Sequence, residues 1–220
     1  MVNTIGTSLA SRLLHSGLSV FALLVLLMAG LAGPARALTE DDWTALAVQG
    51  STTWRTSVGD RIWRHLQSNH SAPDRAQIRT GTSGHAVVAR GLDRIEVHPN
   101  STVLVTARNS GDGTMEIYQN SGSATYTVEK RPAGTFTVRT PYVLAVVKGT
   151  QFTVDIQEGQ TTVSVTEGRV SVSDRRDGST VDVTPGQAAR ALAAVPGLEV
   201  NGIPSTSVPK GRPGVGAPSR

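Results

Sequence analysis

The sequence predicts an all-β fold, a β-helix-like or tightly wound β-roll stack of short strands with glycine corners. Three observations carry that prediction. From Gln77 onward, apolar and polar residues alternate with a period of two for more than a hundred residues. Glycines interrupt the second half of that stretch at Gly159, Gly168, Gly178 and Gly186, the spacing of short strand, corner, short strand. The 23 glycines and 11 prolines, against 4% aromatic residues, favour frequent turns over long helices. A jelly roll or sandwich shows the same alternation, so periodicity alone leaves those architectures open.

Ahead of the strands lies a segment that reads as export signal. Residues 1–37 hold Arg12 and Arg36 and no acid, and an apolar run from Leu18 to Gly33 precedes Ala35-Arg36-Ala37. Small residues at Ala35 and Ala37 after such a run are the signature of a secretory signal peptide cleaved after Ala37. The alternative is an uncleaved inner-membrane anchor, and in both cases Leu38 onward is expected in the periplasm. Residues 38–74 follow as a helix and a connecting segment. Thr39 as N-cap with Asp42 three residues on, then Trp43, Leu46 and Ala47 at helical spacing up to Gly50, predict one short helix. Ser51 to Ser71 matches neither period, and its tryptophans read as core packing or a lid.

The strands come next in order. Ile78, Val87 and Val88, Ile95 and Val97, Val103 and Val105, Met115 and Ile117, Tyr126 and Val128, and Phe136 and Val138 are the expected inward sides, separated by turn residues that include Asn109 to Gly113 and Asn120-Ser121-Gly122. Tyr142 to Val147 is apolar on both faces and reads as a strand covered from both sides. Phe152, Val154 and Ile156, then Val163 and Val165, Val170 and Val172, and Val181 and Val183 continue the alternation. Residues 193–220, rich in proline and glycine, read as a flexible tail.

The segment Thr140-Pro141-Tyr142-Val143-Leu144-Ala145-Val146-Val147-Lys148-Gly149-Thr150-Gln151-Phe152-Thr153-Val154 resembles the stretch that identifies the FecR domain. Its marks are a Thr-Pro, an apolar strand, a basic residue before Gly-Thr, and a Phe two positions on. The corner Glu167-Gly168 between valine-rich strands and the closing Pro185-Gly186-Gln187 are similar to the same family, as are Ile78 to Gly81 and Pro99-Asn100-Ser101. The resemblance covers residues 75–192. It departs at Leu92-Asp93-Arg94, where the family usually has an Asp-Gly-Ser hairpin. The family's founding members are transmembrane regulators of ferric-siderophore uptake with a cytoplasmic sigma-factor segment and a further lobe. Only about fifteen residues precede the apolar run here, so the resemblance implies a FecR module alone in the periplasm, without the anti-sigma activity.

Chemistry is sparsely signalled. His65, His70, His85 and His98 lack zincin-like spacing and read as solvated, so no metal ligand, cofactor or catalytic residue is expected. Gly81-Thr82-Ser83-Gly84-His85 fails the hydrolase elbow at its last position. Asp174-Arg175-Arg176-Asp177 reads as a solvated, charge-compensated loop, and Asp112, Glu116, Asp155 and Glu158 as solubilising acids. Without leader and tail, basic and acidic residues are equal in number, which argues against nucleic-acid binding. The expected function is a non-enzymatic adaptor in envelope signalling or assembly with an envelope protein partner and no nucleic acid, touching the membrane only through a retained leader. A structural, peptidoglycan-associated protein and a regulator tied to siderophore uptake are the alternatives.

Overall fold

In the computed structural model, residues 42–56, 59–106, 114–132 and 134–201 are described, together with the backbone of 203–204. The leader, Ala35 and Ala37 among it, lies outside the described residues. So do Thr39 of the expected N-cap, the Asn109 to Gly113 turn, and the tail beyond 204. The described residues form strands and no helix: β1 Trp43–Gln49, β2 Thr52–Arg55, β3 Arg64–His65, β4 Ser71–Ala72, β5 Ala76–Thr80, β6 His85–Arg90, β7 Asp93–Val97, β8 Thr102–Val105, β9 Met115–Val128, β10 Phe136–Arg139, β11 Val143–Val147, β12 Thr150–Gln157, β13 Gln160–Glu167, β14 Val170–Asp174, β15 Thr180–Val183, β16 Ala188–Leu192, β17 Val195–Val200 and β18 Ile203–Pro204.

All eighteen belong to one mixed, open, hydrogen-bonded sheet in which β9–β10 is the parallel pair and the other pairings are antiparallel. Two ladders meet in β9. Its N-terminal part pairs with β8 and β10 and leads out through β11 and β14 to β15. Its C-terminal part pairs with β7 and β12 and leads through β13 and β16 to β17. Asn120-Ser121-Gly122, expected as a turn between strands, is therefore a bend inside one strand. The buried Gln119 braces it: its Nε2 donates to the carbonyls of Gly122 and Val154 at 2.9 and 3.1 Å, and its Oε1 accepts from the Tyr126 hydroxyl at 2.9 Å. Leaving those polar groups unpaired in the interior would cost about 1–3 kcal/mol each, so the network fixes where β9 bends.

The alternation read from the sequence is the core, except that Val87 lies on the outward face of β6 opposite Glu96 and that Ile156 and Val181 are only partly buried. Ile78, Val88, Ile95, Val97, Val103, Val105, Met115, Ile117, Phe136, Val138, Val154, Val163, Val170, Val172 and Val183 are all buried in one cluster. Tyr126 stacks on Phe152 at 5.1 Å and meets Phe136 of the other ladder edge-on at 6.1 Å, which ties the two ladders together.

Four expectations are corrected. The short helix is instead β1. Trp43 and Ala45 are buried while Leu46 is 45% exposed, so the i, i+3 pair of the supposed helix does not share a face. Barely two turns of helical pattern lose to ladders on β4 and β6, because an isolated short helix is marginal in water. The β11 strand is buried on one face: Val143, Ala145 and Val147 point inward and Leu144 and Val146 are half-exposed. The segment after Leu192 continues into the sheet, since β17 pairs with β16 and Leu198 is buried. Asp174 to Asp177 is solvated only in part: Arg175, Arg176 and Asp177 are exposed, but Asp174 is 1% exposed. Its carboxylate accepts from Arg176 Nη2 at 2.6 Å and from the Gly197 amide at 2.9 Å, and Arg176 in turn donates to the carbonyls of Leu192, Ala193 and Val195.

Candidate functional site

The motif residues bring two glycine corners together. Gly149, between β11 and β12, and Gly168, between β13 and β14, have φ of +75° and +83°, a region that costs residues with a Cβ about 1–2 kcal/mol. They also lack room. A Cβ on Gly149 would sit 2.5 Å from Lys130 Cα, and one on Gly168 would sit 2.7 Å from the Gly149 carbonyl oxygen and 2.6 Å from Thr150 Cγ2. Close backbone approach is what these positions demand.

The two corners open onto a groove of about 580 Å³. Lys130, Lys148 and Arg169 rim it, Val146 and Ser171 line it from β11 and β14, and Asp182 of β15 stands opposite, 3.3 Å from Arg169. Val146, Ser171 and Asp182 are cross-strand neighbours on β11, β14 and β15, so the groove lies on the outward face of this ladder. The groove thus combines an apolar patch at Val146 with a surplus of positive charge.

The other motif residues hold this frame without facing the groove. Thr140 Oγ1 accepts the amides of Val143 and Tyr142 at 2.9 and 3.3 Å, a hydroxyl turn that starts β11. Arg175 Nη1 donates to the carbonyls of Thr140 and Pro141. Phe152 is core and the Thr150 side chain is buried. Gln187 Oε1 accepts from the Thr184 amide and hydroxyl at 3.0 and 2.8 Å, which closes the turn through Pro185 and Gly186 onto the Val165 backbone. Glu167 is exposed.

The departure at Leu92-Asp93-Arg94 has a physical content that its sequence hides. Asp93 is fully buried, accepts the Glu129 amide at 3.0 Å and pairs with Arg131. Lys130, on the groove rim, sits between those two partners in the chain.

The titratable groups are mostly committed. Burial pushes the Glu116 carboxyl up, but the Tyr118 hydroxyl and Arg139 outweigh it and hold the group below its ordinary range; the Glu116 hydrogen bond raises Tyr118 in turn. Asp60 is lowered to about 2 by the Ile62 amide, Arg64 and Thr56. His70 lies against Trp54 at 4.4 Å, and burial lowers it. Trp63 is sandwiched between Arg55 and Arg79, at 4.6 and 4.3 Å. His65 is exposed. His85 and His98, read from the sequence as solvated, instead converge with Glu96 on the outer face of β6 and β7. Cross-strand register brings them together, and no linear spacing signals it.

The geometry is that of an all-β module whose glycine corners open onto a cationic groove. Residues 76–171 match the FecR family, described as FecR protein, and that part of the chain is a FecR domain. Two crystal structures of a candidate anti-sigma factor from Parabacteroides distasonis ATCC 8503 are similar in fold, each with a TM-score of 0.51 at 20% identity over 56% of this chain. The likeness spans 58% of the length of that protein and is one of fold. No curated protein matches the chain.

Proposed function

We propose that this chain is an exported, non-enzymatic adaptor of envelope signalling or assembly, and that its FecR domain works by seating an acidic, extended segment of a protein partner in the groove at the Gly149 and Gly168 corners. The observation that carries the reading is the charge and shape of that groove. Three cations stand around it against one acid that Arg169 already holds, so an anionic segment is favoured both in steering and in register. Val146 gives the groove an apolar floor against which a side chain of such a segment packs. The FecR domain and the fold it shares with a candidate anti-sigma factor support a partner that is a protein. The leader pattern of residues 1–37, with Ala35 and Ala37, supports periplasmic placement.

In-cell photocrosslinking tests the reading. A crosslinker at Ser171 should capture one defined protein partner, and one at Arg190, on the other ladder, should not. The double change Lys130→Glu, Lys148→Glu should abolish the adduct while the circular dichroism spectrum stays that of the parent. Adducts of equal yield from both positions, or an adduct that survives the double charge reversal, would refute it.

A further inference from the structure

On the ladder that does not carry the groove, three potential ligands share one outward face. The β6–β7 pairing sets Ala86 opposite Val97 and Val87 opposite Glu96, so His85 and His98 come opposite one another at the end of the hairpin, with Glu96 two residues before His98 on the same side. The two imidazoles lie 5.8 Å apart, His85 Nε2 is 2.9 Å from Glu96 Oε1, and one donor atom from each of the three residues falls within 4.8 Å of the others. We propose that His85, Glu96 and His98 form a binding site for a divalent transition-metal ion of the zinc class.

The donor set selects the ion. Two imidazole nitrogens and one carboxylate oxygen suit zinc and its late first-row neighbours, whereas calcium and magnesium require shells of oxygen. Zinc bonds of about 2.0–2.1 Å place tetrahedral ligand atoms about 3.3 Å apart, so the His85–Glu96 pair already stands near coordinating separation and side-chain rotation brings in His98. The ring of His98 is oriented from outside. Its Nε2 lies 3.0 Å from Thr125 Oγ1, which lies 3.0 Å from Thr153 Oγ1 on the next strand, and this leaves the other ring nitrogen for the ion. His85 and Glu96 are 27% and 44% exposed, so water reaches the site to complete the coordination shell. All three ligands and both threonines stand on or immediately beside paired strands, which holds them without a loop having to order. The site is independent of the groove and of any partner bound there.

The test uses the full chain without a histidine tag. Titration with zinc chloride in a calorimeter should show about one equivalent bound, and cobalt(II) should develop visible d–d bands that zinc quenches. Glu96→Gln and His98→Ala should each weaken zinc binding by about tenfold or more, and His65→Ala, exposed and remote in sequence, should leave it unchanged. The melting temperature should rise with zinc in the parent and stay constant in His85→Gln. If His98→Ala fails to fold through loss of its threonine contact, His85→Gln and Glu96→Gln at half-exposed positions decide the matter. Heats no larger than dilution, or binding that is the same in parent and in His85→Gln and Glu96→Gln, would overturn the assignment.

Discussion

Replacing Gly168 by alanine should destabilise the protein by about 2–5 kcal/mol, and Gly159→Ala provides the internal control. Both glycines hold left-handed backbone, φ +83° and +75°, so both variants carry the same conformational penalty of about 1–2 kcal/mol. Both also lose the same unfolded-state freedom, a contribution that cancels between them. They differ in space. Around Gly159 a new Cβ meets nothing within 4 Å, whereas at Gly168 it lands 2.7 Å from the Gly149 carbonyl oxygen and 2.6 Å from Thr150 Cγ2. The threonine methyl can turn away, but the carbonyl is main chain at the neighbouring corner and moves only if β12 moves. Overpacking of that kind costs about 1–3 kcal/mol, and this is the expected gap between the two variants. Urea denaturation of parent, Gly159→Ala and Gly168→Ala reads it, with Gly168→Ala melting several degrees below Gly159→Ala, at about 2–4 °C per kcal/mol for a chain of this size. Gly168→Val, branched at Cβ, should be worse still. If the two alanine variants unfold within about 0.5 kcal/mol of one another, the close packing of the two corners is wrong, whatever the φ values.

Three further outcomes follow from the same structure. Arg131→Met, which strands the buried Asp93 carboxylate, should cost about 3–5 kcal/mol in a chemical denaturation curve; a loss under about 1 kcal/mol would mean the pair is solvated. Asp174 is held below its ordinary value of 3.8, since Arg176 and two backbone amides outweigh the opposing effect of burial; its stabilisation is therefore present above that value and is lost as pH falls through the folded-state pKa. Melting temperatures between pH 7 and pH 3 should fall more steeply in the parent than in Asp174→Asn, and parallel curves would contradict this. A chain ending at Leu192 should melt well below one ending at Pro204, because it loses the buried Leu198 and the Ala193 and Val195 carbonyls that Arg176 binds; equal melting would show that β17 adds nothing.

What was legible in the sequence was whatever repeats locally. Inward valines and isoleucines at period two announce their own burial, and glycines at Gly149, Gly159, Gly168, Gly178 and Gly186 all take positive φ, as corners require. The misreadings share one cause, which is that the deciding contact lies far away in the chain. Trp43 to Ala47 has helical spacing, and only pairing with Val87 and Val88, some forty residues on, makes it a strand. Asp174 sits in a run that looks solvated, yet the backbone that covers it arrives at Gly197. His85, Glu96 and His98 are spaced eleven and two apart, a pattern that means nothing until the β6–β7 register folds it onto one face. The groove was half visible: its glycines stood out by motif, while its cations, scattered over Lys130, Lys148 and Arg169, gave no run of charge to notice.

The two buried aspartates also explain how a chain without cysteine holds distant segments together. A disulfide would constrain the unfolded state by closing a loop. Asp93 and Asp174 act on the folded state instead. Each is a desolvated carboxylate satisfied by an arginine and by a main-chain amide, with Asp93 reaching Glu129 and Asp174 reaching Gly197. A lone buried carboxylate would be expensive, so each is affordable only in the one arrangement that delivers all its donors together, and that selects register as much as it adds stability. Asp93 pairs with Arg90 directly after the turn that Gly91 makes at φ +57°, so an ion-paired clasp closes this hairpin onto a distant segment. The clasp runs to Glu129 and Arg131, which flank Lys130, and Lys130 is what the Gly149 corner packs against and what rims the groove. Arg131→Met should therefore loosen the Lys130 side of the groove as well as weaken the fold, and a crosslinker at Ser171 in that variant should lose partner yield at temperatures where the sheet itself is still intact.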